Sequence, residues 1–160
     1  RGANLGNDIF YSGTVAAARE GAYAGTRAFA VSLVLQPHTK EFFWETAVDV
    51  TLKLIPKILK LNLPLDHLTN INVPNVPLEK LKGIKISRQG RRHYSDVITE
   101  RMDPRHRKYF WLGGEYKGFD PITGSDCVAV DKGYASVTPL KLDTTHDKIM
   151  GDLSSCEEEF

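Results

Sequence analysis

Residues 28–35 read Ala-Phe-Ala-Val-Ser-Leu-Val-Leu, a run in which both alternating sets of side chains are mostly apolar. A strand that is apolar on both faces is typical of a parallel sheet covered by helices on each side. The alanine-rich residues 14–23 favour a helix, and Gly25 is placed to end it. A helix followed by a buried strand is half of a β-α-β unit. We therefore predict an α/β fold, and we expect the chain to begin part-way through a larger protein because the first strand of that unit is missing.

Further apolar patterns predict more elements of the same kind. Residues 41–61 carry two adjacent apolar stripes at helical spacing, and Pro56 is expected to kink that helix or divide it. Shorter elements follow, with strands at 68–73, 83–88 and 134–140 and a helix at 126–132 that Gly133 ends. The acidic residues from Thr144 onward predict a last helix, in which Thr144 and Asp147 have capping-box spacing.

Residues 93–112 predict a β-hairpin. Tyr94 and residues 97–99 form one arm, residues 109–111 form the other, and Asp103-Pro104-Arg105-His106 has the residue order of a type I turn. A two-stranded ribbon that exposes aromatic side chains is only marginally stable by itself. We therefore expect the hairpin to pack against another subunit.

The composition excludes several classes of protein. The chain has 160 residues, of which 41% are hydrophobic and 26% charged, with a formal net charge of +1. The longest nearly unbroken apolar run, residues 28–35, is too short to span a bilayer, and apolar residues recur too regularly for a disordered chain. Two cysteines, Cys127 and Cys156, are too few for a disulfide scaffold, so we expect reduced thiols in a cytoplasmic protein.

The near-zero net charge conceals two segments of opposite charge. Residues 84–112 hold eight basic and three acidic side chains, a net charge of +5, whereas residues 143–160 hold six acidic and one basic, a net charge of −5. We expect the two segments to attract each other within or between subunits.

The most promising local site is Ser12-Gly13-Thr14 directly before the alanine-rich helix, preceded by a loop over residues 2–11 that contains Asn4. A helix start offers unpaired N–H groups to an anion, and glycine allows a ligand to approach the backbone. Hydroxyls from Ser12 and Thr14 and the amide of Asn4 would complete a phosphate pocket. The alternative is that Ser12 or Thr14 only caps the helix.

Other chemistry has weaker support in the residue pattern. Basic side chains beside aromatic ones at residues 88–108 are compatible with a polyanion site, but a solvated or subunit-facing surface explains them better. The balanced net charge argues against nucleic acid as a partner. The five histidines lie without metal-ligand spacing, and no Ser-His-Asp pattern occurs.

Several sequence blocks together carry a family resemblance. The first are Arg1-Gly2-Ala3-Asn4-Leu5-Gly6-Asn7-Asp8 and Tyr11-Ser12-Gly13-Thr14-Val15-Ala16-Ala17-Ala18-Arg19-Glu20-Gly21. Later ones are Ala30-Val31-Ser32, Asn70-Ile71-Asn72-Val73-Pro74, Arg88-Gln89-Gly90-Arg91-Arg92-His93, Tyr109-Phe110-Trp111-Leu112-Gly113 and Gly133-Tyr134-Ala135-Ser136-Val137-Thr138-Pro139-Leu140. In these blocks the chain resembles the SurE survival-protein family, whose members are metal-dependent 5′/3′-nucleotidases.

The resemblance implies a three-layer α/β/α, Rossmann-like fold that is incomplete here. Residues 1–82 would be the downstream part of the catalytic core. Residues 83–160 would be an oligomerisation region with the hairpin at 93–112, an acidic C-terminal helix and a segment exchanged between subunits. It further implies a homodimer or homotetramer, hydrolysis of nucleoside monophosphates, degradation of polyphosphate by some members, and a divalent cation, Mg²⁺ or Mn²⁺.

The resemblance also assigns site residues. The metal ligands of the family would lie before Arg1, so none is expected in this chain. The phosphate side would be formed by Asn4, Ser12, Gly13 and Thr14. We therefore expect the isolated chain to be inactive, with two alternatives: a non-catalytic oligomerisation or binding fragment, and an RNA- or polyanion-binding module that uses the basic hairpin.

Overall fold

The structure, a computed structural model, describes residues 2–36 and 39–157, without the side chain of Leu112. The helices are α1 Gly13–Tyr23, α2 Trp44–Leu59, α3 Asp126–Asp131 and α4 Asp147–Leu153. The strands are β1 Ala28–Val34, β2 His67–Pro74, β3 Ile84–Ile86, β4 Arg92–Tyr94, β5 Val97–Met102, β6 Lys108–Gly113, β7 Tyr116–Phe119 and β8 Ala135–Lys141.

The central sheet has four strands in the order β1-β2-β8-β3. Strands β1 and β2 are parallel, so that Ala28 faces Leu68 and Ser32 faces Asn72. Strand β8 runs antiparallel to β2 and parallel to β3. The predicted α/β fold is confirmed. Strands β3 and β8 follow residue 82 and belong to the same sheet as β1 and β2. The expected division between a catalytic and an oligomerisation region at residues 82 and 83 stays a prediction.

The sheet lies between two helical layers. Successive side chains of a strand point to opposite faces, so each face of the sheet packs against a different helix. On one face, α1 packs against β1, β2 and β8, with the apolar contacts Val15, Ala18, Ala22, Ala30, Leu68 and Leu140. On the other, α2 packs through Ala47 and Val50 against Leu33, Ile71, Val73 and Ala135. Both faces of β1 are therefore covered, as its double apolar pattern predicts.

The face of the sheet that carries α1 also holds polar side chains. Ser32, Asn72 and Ser136 face one another across β1, β2 and β8. Two residues earlier in β2, Asn70 faces Thr138 of β8. The side chains of Asn70, Asn72, Ser136 and Thr138 are buried. Buried polar groups require hydrogen-bond partners, and the N-terminal segment that crosses this part of the sheet supplies several.

The structure corrects two local predictions for the first half of the chain, while the kink that was the alternative expectation for Pro56 stays a prediction. The loop predicted over residues 2–11 contains a 3₁₀ helix over Gly6–Tyr11, in which Leu5 accepts a hydrogen bond from Asp8 N–H. Helix α2 begins at Trp44 and continues through Pro56 without being divided. The carbonyl that Pro56 leaves without a donor belongs to Leu52, whose side chain is exposed, so water can reach that side of the helix.

The hairpin is confirmed, but its first arm is shorter than predicted. Strands β5 and β6 pair antiparallel from Val97 with Gly113 to Met102 with Lys108, whereas Tyr94 belongs to β4 and pairs with Tyr116 of β7. The turn is closed by His106 N–H donating to Asp103 O at 2.9 Å. His106 adopts a left-handed conformation with φ of 56°, which allows the chain to re-enter β6.

The C-terminal helix is confirmed over Asp147–Leu153, with a different cap from the predicted one. His146 Nδ1 accepts from Ile149 N–H at 3.3 Å, so His146, rather than Thr144, occupies the N-cap. Among the described residues, the ion pairs of the basic segment with acids are made within the segment or with Asp8 and Asp120, and none reaches residues 143–157. The expected attraction between the two segments therefore stays a prediction for contacts between subunits.

The described helices are all shorter or more polar than a membrane-crossing helix requires.

Candidate functional site

The side chain of Asn4 connects the two elements that form the candidate site. Its Oδ1 accepts a hydrogen bond from Ser12 Oγ at 2.7 Å, and its Nδ2 donates to Ser32 Oγ at 2.6 Å. Ser12 precedes α1 and Ser32 lies in β1, so Asn4 joins the start of the helix to the following strand. Asn4 is only 5% exposed, which fixes its amide in one orientation.

The backbone of Asn4 is held by two asparagines of β2. Asn72 Oδ1 accepts from Asn4 N–H at 2.8 Å, and Asn72 Nδ2 donates to Asn4 O at 2.9 Å. Asn70 Nδ2 donates to the same carbonyl at 2.7 Å. Sequence reasoning missed both residues as supports of the site. The available signal was two amides at alternate positions of the predicted strand 68–73, because buried amides need specific partners.

Ser12 caps α1, as the alternative interpretation predicts. Its Oγ accepts from Val15 N–H at 3.1 Å, and Ala16 N–H donates to Ser12 O at 2.9 Å. The helix start thereby leaves the N–H groups of Gly13 and Thr14 outside the helical hydrogen-bond pattern. Gly13 and Thr14 are exposed, and a Cβ built on Gly13 would meet no atom within 4 Å. Capping and anion binding are therefore compatible at this helix start.

The four residues predicted for the phosphate side line one cavity of about 750 Å³. Asn4, Ser12, Gly13 and Thr14 share it with Asn7, Asp8, the end of β1 and Trp44. The structure thus brings all four predicted residues together. Their role in binding phosphate stays a prediction.

An ion-pair network lies at the rim of this cavity and was not anticipated from the sequence. Asp8 Oδ2 pairs with the guanidinium of Arg92 and accepts from Tyr94 Oη at 2.7 Å. Asn7 Oδ1 accepts from Arg92 N–H at 2.7 Å, and the Arg92 guanidinium lies 4.1 Å from the ring centre of Tyr116. Burial raises the pKa of Tyr94, and its hydrogen bond to Asp8 raises it further. Tyr94 is therefore a stable hydrogen-bond donor at neutral pH.

The carboxylate of Asp126 binds the backbone of the segment around Gly6 through a hydrogen bond. Oδ2 accepts from Gly6 N–H at 2.9 Å, while Oδ1 accepts from Gly90 N–H and Cys127 N–H, both at 2.8 Å. Gly6 has a left-handed φ of 54°, and a Cβ on Gly90 would lie 2.8 Å from Asp126 Oδ1. Both glycines are required where these segments cross.

The described residues do not fit a divalent cation. Across residues 2–36 and 39–157, the structure brings together no group of three or more His, Cys, Asp or Glu side chains suited to a metal ion. The one carboxylate in the cavity, that of Asp8, is engaged by Arg92 and Tyr94.

The basic hairpin is partly neutralised by its own acids. Arg107 Nε lies 2.9 Å from Asp103 Oδ2, and Lys108 Nζ lies 2.7 Å from Glu100 Oε1. A phosphate backbone would have to compete with these carboxylates for the same cations. The hairpin geometry thus adds no support to the polyanion alternative.

Comparison with known proteins gives a consistent result. A family model described as "Survival protein SurE" matches residues 1–96 of the chain. Proteins named 5′-nucleotidase SurE from Syntrophotalea carbinolica and Legionella pneumophila strain Paris are 47% identical over 146 residues and 40% identical over 159 residues, respectively. These matches cover 91% and 99% of this chain.

The solved structures agree with the sequence comparison. The crystal structure of the SurE protein from Aquifex aeolicus superposes with a TM-score of 0.78 at 37% identity and covers 98% of this chain. The chain spans only 57% and 62% of the two curated relatives and 62% of the Aquifex chain.

Proposed function

Because the chain belongs to the SurE family, we propose that it supplies the phosphate-binding side of a nucleotidase site. In the complete protein, this site would hydrolyse nucleoside 5′- or 3′-monophosphates, and polyphosphate is a further substrate to test. The names of the relatives support the nucleotidase activity. Within this chain, the observation that most supports the phosphate site is the amide of Asn4, which forms hydrogen bonds with both Ser12 and Ser32 inside the cavity.

The start of α1 suits a phosphate group on physical grounds. The N–H groups of Gly13 and Thr14 and the hydroxyl of Thr14 are donors at the positive end of the helix dipole. Because Ser12 Oγ is already hydrogen-bonded to Asn4 and Val15, these donors are fixed before a ligand arrives. Preorganised donors stabilise the negative charge on the phosphoryl oxygens at little reorganisation cost.

We propose a divalent cation, Mg²⁺ or Mn²⁺, as the cofactor of the complete site. The described residues hold no suitable set of ligands, so we expect the 160-residue chain to bind the phosphate group without hydrolysing it. In this respect the chain by itself would act as the binding-only fragment that the sequence left open.

A pair of measurements on the purified chain, verified by mass, tests this function. Calorimetric titration with AMP and with inorganic phosphate should show binding of both, and Ser12→Asp should abolish it by placing a carboxylate beside the phosphate. Ser12→Asp keeps the cap of α1, so loss of binding would not come from a frayed helix. Absence of phosphate binding by the parent chain would refute the proposed site.

The second measurement is phosphate release from AMP in the presence of Mg²⁺ or Mn²⁺. We expect none from the 160-residue chain. Measurable release that Ser12→Asp removes would show that this chain carries a complete catalytic site, and the expected inactivity would then be wrong.

We propose a homodimer or homotetramer because Ile98, Phe110 and Trp111 are exposed on both faces of the thin β5–β6 ribbon. We propose a cytoplasmic location because both cysteines are free thiols.

A further inference from the structure

The cavity that contains Asn4 and Ser12 is lined by residues of two kinds. Polar lining comes from Asn4, Ser12, Gly13 and Thr14, with the backbone N–H groups and the Thr14 hydroxyl at the start of α1. Apolar lining comes from Val31, Leu33 and Leu35 at the carboxyl end of β1, together with Trp44. A cavity lined by both polar donors and an aromatic residue fits a ligand with a phosphate and a flat ring.

Trp44 is held in place at the start of α2 by the residues that follow β2. Asn75 Oδ1 accepts from Phe43 N–H at 2.9 Å, and Asn75 Nδ2 donates to Glu41 O at 2.8 Å. Thr46 Oγ1 donates to Val76 O at 2.8 Å. The segment that carries Trp44 is therefore fixed to the sheet on both sides of the indole, which lowers the cost of ordering it on binding.

One face of the indole is already used. The ring centres of Phe42 and Trp44 lie 6.0 Å apart with an interplanar angle of 13°, so the two rings are stacked. Trp44 nevertheless remains 47% exposed and lines the cavity. The second face of the indole is thus the surface that a ligand in the cavity would meet.

The other aromatic side chains of the cavity are less suitable. The hydroxyl of Tyr94 donates to Asp8, and its ring packs against Tyr116 at 5.7 Å between ring centres. Tyr11 is 91% exposed, so it has little contact with the protein to hold its ring. Trp44 alone among the three combines a fixed ring with an accessible face.

We infer that Trp44 forms the base-stacking wall of the site and selects phosphate esters that carry a nucleobase. This inference rests on the proposed phosphate site and adds a substrate preference to it. Stacking on an aromatic side chain is sequence-tolerant because every base has a flat face, and it grows with the area of overlap. The chain should therefore bind purine monophosphates more tightly than pyrimidine ones, and both more tightly than ribose 5-phosphate.

The chain contains two tryptophans, which allows a direct optical test. Trp111 lies on the hairpin, so Trp111→Phe leaves Trp44 as the single tryptophan. Titration of this variant with AMP should quench its fluorescence to saturation. Ribose 5-phosphate and inorganic phosphate should displace AMP and restore the signal, because they occupy the phosphate side without reaching the indole.

Substitution of Trp44 provides the second readout. Trp44→Ala should weaken AMP binding about fivefold or more in calorimetry. The affinity for inorganic phosphate should stay the same, which also shows that the variant is folded. Trp44→Phe should recover much of the affinity for AMP because it keeps a flat ring.

The outcomes separate the inference from the proposed function. If AMP and ribose 5-phosphate bind equally and Trp44→Ala changes neither, the stacking role is wrong while the phosphate site stands. If inorganic phosphate and AMP both fail to bind the parent chain, the phosphate site itself is wrong and the inference falls with it.

Discussion

The backbone of Asn4 and the side chain of Asn72 exchange two hydrogen bonds, of 2.8 and 2.9 Å, across 68 positions of sequence. The amide of Asn72 pairs with Asn4 as a neighbouring strand would, with one donor and one acceptor. The main chain at Asn4 is thus bound to β2. The side chain of Asn4 remains available to form hydrogen bonds with Ser12 and Ser32.

Asn72→Asp should destabilise the fold and weaken phosphate binding. The new carboxylate can still accept from Asn4 N–H, but it faces Asn4 O without a donor in a fully buried position. The free energy of unfolding in urea should fall by about 2 kcal/mol or more. Asn62→Asp, at an exposed asparagine, is the matched control and should change stability by no more than about 0.5 kcal/mol. Equal stability of the two variants would contradict the role of Asn72.

Comparison of Ser12→Ala with Ser12→Asp should distinguish the role of Ser12 in capping α1 from its role in the phosphate site. Alanine removes the acceptor for Val15 N–H, which costs about 1 kcal/mol of stability, whereas aspartate can replace that acceptor. Urea unfolding should therefore rank parent and Ser12→Asp above Ser12→Ala. A Ser12→Asp variant as unstable as Ser12→Ala would show that the hydroxyl contributes mainly through Asn4.

Gly90→Ala should be strongly destabilising although it adds one methyl group. The added Cβ would lie 2.8 Å from both Asp126 Oδ1 and Cys127 Sγ, so the carboxylate that holds Gly6 would have to move. We expect a loss of about 1–3 kcal/mol in the free energy of unfolding. Gly151→Ala is the control, because it has open space within α4 and alanine favours helix, so its stability should be unchanged or higher.

The two cysteines should differ sharply in reactivity. Cys156 is exposed, whereas Cys127 is buried, and burial raises the pKa of Cys127 to about 12. Because the thiolate is the reactive form, titration with a disulfide reagent at pH 8 should label one thiol quickly and the second only after unfolding in urea. Cys156→Ser should abolish the fast phase. A fast phase that persists in this variant would mean that Cys127 is accessible in the folded chain.

The same thiol should make stability depend on alkaline pH. In the unfolded chain Cys127 ionises near its ordinary pKa of 9.0, and in the folded chain only near 12. The stabilisation from burying the neutral thiol is therefore complete below about pH 9 and is lost as the pH rises toward 12. Between pH 9 and 11, Cys127→Ala should lose less stability than the parent chain does.

Replacing Ile98 and Phe110 together with serine should reduce the oligomer size measured by light scattering. These side chains lie on one face of the β5–β6 ribbon, two register positions apart, and are 67% and 60% exposed. Leu52→Ser makes the same kind of change at a 69% exposed position of α2 and should leave the size unchanged. If the double variant and the control keep the same size, the hairpin is not the subunit contact.

The main elements of the fold could be predicted because periodicity reports burial directly. The double apolar pattern of β1 indicated cover by helices on both faces, and α1 and α2 provide it. The first arm of the hairpin was placed wrongly because Tyr94 pairs with Tyr116, and no local pattern reveals a partner 22 residues away. The cap of α4 was missed because histidine can accept through Nδ1 where serine or threonine is the usual choice.

The candidate site was predictable on its helix side only. Ser12, Gly13 and Thr14 adjoin one another in sequence, and the chemistry of a helix start applies to any chain. The supports of the site come from distant segments: Asn72 from β2, Asp126 from α3 and Arg92 from β4. Which of the many polar residues reach the N-terminal segment depends on the register of the sheet, and register is a property of the whole fold.

The bond between Gly6 and Asp126 has a consequence for the order of events during synthesis. The two residues are 120 positions apart, so at ribosomal rates the N–H of Gly6 leaves the ribosome roughly 10 s before its acceptor is made. Asn72 arrives in between, at about the midpoint of that delay. The segment around Gly6 therefore takes its final shape only after Asp126 has been made, and nascent chains would gain affinity for phosphate only from that point of translation onward.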